Sequence, residues 1–226
     1  MRELESLGNR IVRCRNCPRL TAHCRAVAAD PPKRYRGQTY WVRPLSGFGD
    51  PAARIVIVGL APAANGGNRT GRFFTGDRSG DWLYAALYRA GLASQEESTS
   101  RDDGMILFHT FITAAVRCAP PGNKPTPEEL SNCRPFLRRE FELLGQARVY
   151  VALGSLAFDA LKKILRERHS DLRFPPFAHG LRIPLPDRRH IVCSYHPSQQ
   201  NTFTGRLTRP MFEKIFASAK ELAGLA

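Results

Sequence analysis

The chain has 226 residues, 42% of them hydrophobic, which is enough length to bury a core and too much apolar content for a disordered segment. Its 34 basic residues, mostly arginine, outweigh 20 acidic ones and leave a formal charge of +14, which favours an anionic partner, nucleic acid ahead of an acidic membrane. No apolar run is long enough to span a bilayer, and the charged start MRELESLGNRIVRC lacks the apolar core of a secretion signal, so a cytoplasmic protein with no membrane partner is expected.

Residues 4–29 read as a helical segment broken at Cys17-Pro18, and residues 30–53 as an irregular connection. That connection contains Gly47-Phe48-Gly49 and Ala52, a formal match to the dinucleotide fingerprint. The match precedes a strand instead of following one, so it is rejected. Arg54 to Leu60 is the first core strand. A long loop then leads to a helix from about Gly80 to Ala90, with Leu83, Leu87 and Ala90 on one face and Gly91 placed to end it.

Residues 94–104 read as a solvated acidic loop, and Leu107 to Val116 as a second strand in which Phe108, Phe111 and Ile112 supply bulk. Thr126-Pro127-Glu128-Glu129 joins a capping box to a proline at the first helical position and starts a helix running to about Leu144. Arg148 to Leu153 is a third strand, followed by a helix with Leu156, Ala160, Leu161 and Ile164 on one face. His190 to Ser194 is a fourth strand, and a final helix from Pro210 packs Met211, Ile215, Phe216, Ala219 and Leu222. This alternation predicts one α/β domain over residues 1–226: a mostly parallel, four-stranded central sheet flanked by helices. Ligands of such sheets sit beyond the carboxyl ends of the strands, where the loops 59–80, 117–127 and 196–208 should converge.

The stretch from Gly59 to Trp82 holds six glycines, three arginines, two phenylalanines and two aspartates, with almost no hydrophobic period. Glycine lets backbone approach a ligand, and Arg69, Arg72 and Arg78 offer phosphate donors. Phe73 and Phe74 should not both face inward, which leaves one free to stack on a flat ligand. Asp77 is a candidate base, although its place just before a helix also suits an N-cap, the stronger reading on local grounds. His196 is fixed at a strand end by Pro197. Ser198, Gln199, Gln200, Asn201, Thr202 and Thr204 add neutral donors around Phe203, a composition that would grip a backbone and wedge a stack.

Six cysteines without a secretion signal argue against a disulfide framework. Cys14 and Cys17 form a C-x-x-C pair, while Cys118 and Cys133 are separated by fourteen residues. Together they suit zinc or an iron–sulfur cluster, with unrelated buried thiols as the alternative, and Cys24 and Cys193 read as core thiols.

Two of these stretches, GLAPAANGGNRTGRFFTGDRSG and HPSQQNTFTGRLT, resemble the signature motifs of the family 5 (type b) uracil-DNA glycosylases. CRNCPRL and AVRCAPPGNKPTPEEL are similar to the segments that ligate a [4Fe-4S] cluster in that family, and the resemblance covers nearly the whole chain in order. It implies a monomeric DNA-repair hydrolase that removes uracil from DNA. It further implies that Cys14, Cys17, Cys118 and Cys133 hold the cluster, that Phe74 stacks the extruded base, and that His196 faces a base carbonyl. Asp77 would handle the attacking water. Gly59, Ala61, Pro62 and Ala63 of the first motif match substrate-binding positions, as do Ser198, Asn201 and Arg206 of the second. Asn123 is a further candidate for a polar contact.

Three positions depart from neighbouring patterns. Leu60 stands where the sister family 4 carries a catalytic glutamate, and Thr113-Ala114-Ala115 where many relatives place a base-reading asparagine. Asn65 stands where histidine is expected, which puts a local DNA or water contact in question. A pocket without a matched hydrogen-bonder rejects other bases poorly, so hypoxanthine and other deaminated bases are expected beside uracil. The competing class is a non-catalytic nucleic-acid-binding protein with a structural metal centre, which would leave both loops unexplained.

Overall fold

A computed structural model describes residues 2–225. In chain order the elements are α1 (Arg2–Val12), α2 (Pro18–Ala29), β1 (Phe48–Gly49), β2 (Ile55–Gly59), α3 (Gly67–Thr70), α4 (Arg78–Arg89) and β3 (Thr110–Ala114). They continue with α5 (Pro127–Leu143), β4 (Val149–Leu153), α6 (Ser155–Arg168), β5 (Arg182–Pro184), β6 (His190–Ser194), α7 (Gln199–Phe203) and α8 (Arg209–Ala223).

The sheet has six strands in the order β1-β3-β2-β4-β6-β5. The four central strands are all parallel, as expected from their apolar runs, and their residues are buried almost without exception because helices cover both faces. The two outer strands are antiparallel additions of two and three residues, too short to carry a hydrophobic period. Gly47-Phe48-Gly49 lies at one edge. A side chain at Gly49 would overlap the Thr110 carbonyl, and one at Gly47 would overlap the Phe111 ring. Those glycines serve close packing, which explains their false likeness to a phosphate loop.

One face of the sheet packs Ile55, Ile57 and Ile112 against Leu83, Tyr84 and Leu87 of α4 and Phe212 and Phe216 of α8. The other packs Val56, Val58 and Tyr150 against Leu137 and Phe141 of α5 and Phe158 and Leu161 of α6. The expected apolar face of α6 needs correcting: Leu156 is exposed, and Ala157, Phe158, Leu161, Ile164 and Leu165 form the buried stripe. Phe108 is likewise exposed, because β3 begins only at Thr110.

Local signals explain the helix starts. In α5 the Thr126 hydroxyl accepts from the Glu129 amide at 3.2 Å, and the Glu129 carboxylate accepts from the Thr126 amide at 2.8 Å. Arg19 of α2 then donates twice to the same carboxylate, at 2.7 and 2.8 Å, pinning α2 to the start of α5. No helix among the described residues is long and apolar enough to cross a membrane.

Candidate active site and cysteine recess

Parallel register brings the carboxyl ends of the central strands level: Gly59 of β2 pairs with Ala114 of β3, and Leu153 of β4 with Ser194 of β6. The neighbouring strands β2 and β4 run on to helices on opposite faces of the sheet, α4 and α6, so the chain parts between their carboxyl ends, the place where ligands of such sheets bind in a crevice. Two of the three expected loops meet there. The Phe74 and His196 rings lie 5.9 Å apart, tilted by 32°, and the Arg78 guanidinium sits 4.3 Å over the Phe203 ring. Phe203 is 67% exposed, an unusual state for phenylalanine. In the third loop Asn123 stands exposed, and no hydrogen bond among the described residues joins its side chain to Phe74, Asp77 or His196.

Phe73 and Phe74 are both buried, contrary to the expectation that one would be free. The backbone reconciles them. Phe74 takes a left-handed conformation at φ 53°, and both rings join the same apolar core, Phe74 at its edge against Gly59 and the His196 ring. That conformation costs of order 1–3 kcal/mol for a bulky residue, and neighbours must hold it. Glycine at 59 makes room: a Cβ there would come within 2.9 Å of the Phe74 ring. The carbonyl of Phe74 lies so close over Gly80 that any side chain there would overlap it.

Asp77 is the N-cap of α4. Its Oδ1 accepts from the Gly80 amide at 3.0 Å, capping α4, and Oδ2 lies where a Cβ on Gly66 would fall. Burial raises its pKa above the ordinary carboxylate value, opposed by the Gly80 amide, and the nearby Asp81 charge adds to the rise. A desolvated carboxylate of raised pKa is a stronger proton acceptor than a surface one.

His196 follows β6, next to Gly154, where a Cβ would stand 3.4 Å from the His196 Cβ. Burial lowers its pKa to about 4, so at neutral pH the imidazole is uncharged. Asn201 donates from Nδ2 to the His196 carbonyl at 2.8 Å, and Ser198 caps α7 by accepting from the Asn201 amide at 3.4 Å. These two residues therefore shape the loop that carries His196. Arg206 is exposed, 4.5 Å over the Tyr195 ring. The remaining first-motif positions, Ala61, Pro62 and Ala63, form the turn out of β2, where the Ala63 carbonyl accepts from the Gly66 and Asn68 amides.

The arginines of the first loop differ from the expectation that all are phosphate donors. Arg72 is buried and donates to Thr75, Ser98 and Asp103, while Arg69 donates to Asn65, Gln38 and Gly76. Only Arg78 of the three is exposed. The side chain of Asn65 is engaged as well, accepting from the Tyr40 hydroxyl at 2.7 Å. Ser98 and Asp103 were not singled out from the sequence, while Arg72 and Asn201, expected to touch DNA, engage the protein's own loops instead. The types of the first two carried no signal separable from an ordinary polar loop.

The four cysteines expected to act together line one recess with Arg117, Leu20 and Phe136. Cys14 and Cys17 come from the α1–α2 connection, Cys118 from the loop after β3, and Cys133 from α5. Burial raises the thiols of Cys17, Cys118 and Cys133, the last to about 11, and the neighbouring cysteines push each further. A set of converging, desolvated thiols is a donor set suited to a thiophilic cationic centre. No three His, Cys, Asp or Glu side chains among the described residues are gathered as ligands of a single metal ion. Cys24 and Cys193 are buried core thiols, as expected.

Comparison with known proteins gives the chain a family. The family model described as Uracil DNA glycosylase superfamily matches residues 46–220. The chain is 52% identical over 221 residues to a type-5 uracil-DNA glycosylase of Thermus thermophilus, covering 98% of this chain and 99% of that one. It is 47% identical over 223 residues to the Mycobacterium leprae type-5 enzyme, covering 98% and 96%. With the Mycobacterium bovis type-5 enzyme the identity is 48% over 213 residues, covering 94% of this chain and 79% of the relative. The chain therefore belongs to the uracil DNA glycosylase superfamily, in its type-5 branch.

Proposed function

We propose that this chain excises uracil from DNA by hydrolysing its N-glycosidic bond, leaving an abasic site, and that it also accepts other deaminated bases such as hypoxanthine. The observation that carries the proposal is a flat apolar face, Phe74, set against an uncharged imidazole, His196, above the strand ends, with the half-buried carboxylate of Asp77 on the same loop as Phe74.

A base inside a duplex cannot reach this crevice, so it must leave the stack, at a cost of a few kcal/mol that is least for a mispaired base. The exposed Arg78 and Arg206, on a chain of charge +14, suit contact with DNA phosphates on either side. Phe74 stacks the extruded ring. As the bond lengthens, negative charge gathers on the leaving base, and an N–H of neutral His196 stabilises it by hydrogen bonding. A neutral donor suits this task because burying an imidazolium would itself be costly. Asp77 orients water toward the positively charged sugar carbon. Neither loop carries a lysine, so water is the nucleophile and no strand cleavage accompanies base loss.

Loose selectivity follows from β3. The Thr113 hydroxyl donates to Glu140 at 2.6 Å, and Ala114 and Ala115 have no polar side chain, so that strand end offers no side-chain amide to read a pyrimidine edge. Cys14, Cys17, Cys118 and Cys133 would hold a [4Fe-4S] cluster, which when bound supplies a covalent cross-link among three chain segments. Incubation with a duplex holding one uracil opposite guanine should release free uracil and leave an alkali-labile site. A duplex that survives alkali intact would refute the proposal.

A further inference from the structure

The acidic loop 94–104 lies outside both motifs, yet two of its side chains turn inward. Asp103 accepts from Arg72 Nη2 at 2.6 Å, and the Ser98 hydroxyl accepts from the same nitrogen at 2.7 Å. The Arg72 Nε donates to the Thr75 hydroxyl at 3.0 Å, and the Ser98 and Thr75 hydroxyls are 2.7 Å apart. Asp103 is itself fixed by the amides of Thr99 at 2.9 Å and Met105 at 3.0 Å. The Ser98 carbonyl accepts from the Gly76 amide at 3.0 Å. Arg72 and Thr75 bracket Phe73 and Phe74. The network therefore bears on both ends of the turn that puts Phe74 in its left-handed conformation.

We propose that Ser98 and Asp103, acting through Arg72 and Thr75, are positioning residues that hold the Phe74 ring in the geometry needed to receive the extruded base. The inference rests on Phe74 as the stacking face. A phenylalanine at φ 53° returns to commoner backbone angles unless both flanks are held, and the loop between Ser98 and Asp103 holds them. Arginine at 72 is required for this because its planar fork reaches Thr75, Ser98 and Asp103 at once. The chain thus diverts an arginine that the sequence offered as a phosphate donor into setting the stacking ring.

The test is a double-mutant cycle in single-turnover excision of uracil, read together with fluorescence of 2-aminopurine placed beside the target base and with a thermal melt. Ser98→Ala should slow excision about tenfold and reduce the 2-aminopurine signal that reports extrusion, because small misplacements at a reacting site cost this much. In a Phe74→Leu background, where the aromatic face is already gone, the same change should slow excision by less than about twofold. Equal losses in both backgrounds, or no loss in either, would overturn the proposal. Asp103→Asn, refolded and judged by the same cycle, repeats the test at the other end of the network. If Phe74→Leu alone excises at the parent rate, the stacking role fails instead, an outcome separable from failure of the positioning network.

Discussion

Two half-buried ionisable groups, His196 and Asp77, stand near Phe74, and their shifts run in opposite directions along the pH axis. His196 has a folded pKa of about 4, below its unfolded value near 6.5, so the unfolded chain binds the proton first. The stability this gives is fully present above about pH 6.5 and is lost as pH falls toward about 4. His196→Ala should flatten that part of the dependence of melting temperature on pH, and an unchanged slope would place the imidazole in water. Asp77 is the converse, raised by burial, and its neutral form is the one that the fold favours. Asp77→Asn keeps a capping side chain and removes the desolvated charge, so it should melt at or above the parent temperature while excision falls by about 10²- to 10⁴-fold. A variant that loses stability but keeps turnover would reduce Asp77 to a cap.

At the scale of elements, the short helices and turns around the crevice set side chains by close approach. Gly66 is the sharpest case, since a Cβ would fall on Asp77 Oδ2. Gly66→Ala should cost most of the excision rate with a folded, cooperative melt, because the carboxylate must rotate away; an unaffected rate would show that the oxygen has free room. Asn201 holds the His196 carbonyl, so Asn201→Ala should lower kcat about tenfold or more while leaving the Michaelis constant for DNA nearly unchanged. A rise in the Michaelis constant alone would mean direct DNA contact.

Much of this scale could be read from residues. The apolar runs gave the four parallel strands, and Thr126-Pro127-Glu128-Glu129 marked the start of α5. The strand ends pointed to the loops that meet there, and the family motifs singled out Phe74 and His196, whose rings come together, and Asp77, which caps α4. What stayed hidden has physical causes. Two-residue β1 and three-residue β5 have no period to detect, and Leu156 lies on a helix whose phase was misjudged by one position. Arg72 looked like a phosphate donor because burial through long-range partners, 26 and 31 residues away, leaves no local mark.

Across the whole molecule, the Phe74–His196 pair stands at the strand ends and a cysteine recess is formed from three distant segments. Arg19 joins two of those segments through Glu129, and the buried pair of Arg117 with Glu140, at 2.6 Å, ties the third to α5. Purified protein should therefore contain about four iron atoms per chain with broad visible absorption, and Cys118→Ser should lose both along with several degrees of melting temperature. A colourless, iron-free protein of full stability would contradict the cluster reading and leave the crevice untouched. DNA affinity should fall steeply with salt, as phosphate contacts by a chain of charge +14 require.

The central claim is that Phe74, His196 and Asp77 together remove a deaminated base from a pocket with little power to discriminate. Single-turnover excision measured on matched duplexes carrying uracil, hypoxanthine, xanthine or thymine opposite guanine tests it most directly. The account predicts alkali-labile sites at uracil first and at hypoxanthine as well, with Asp77→Asn abolishing both. Absence of cleavage at uracil would contradict the claim, and so would undiminished cleavage by the Asp77→Asn variant.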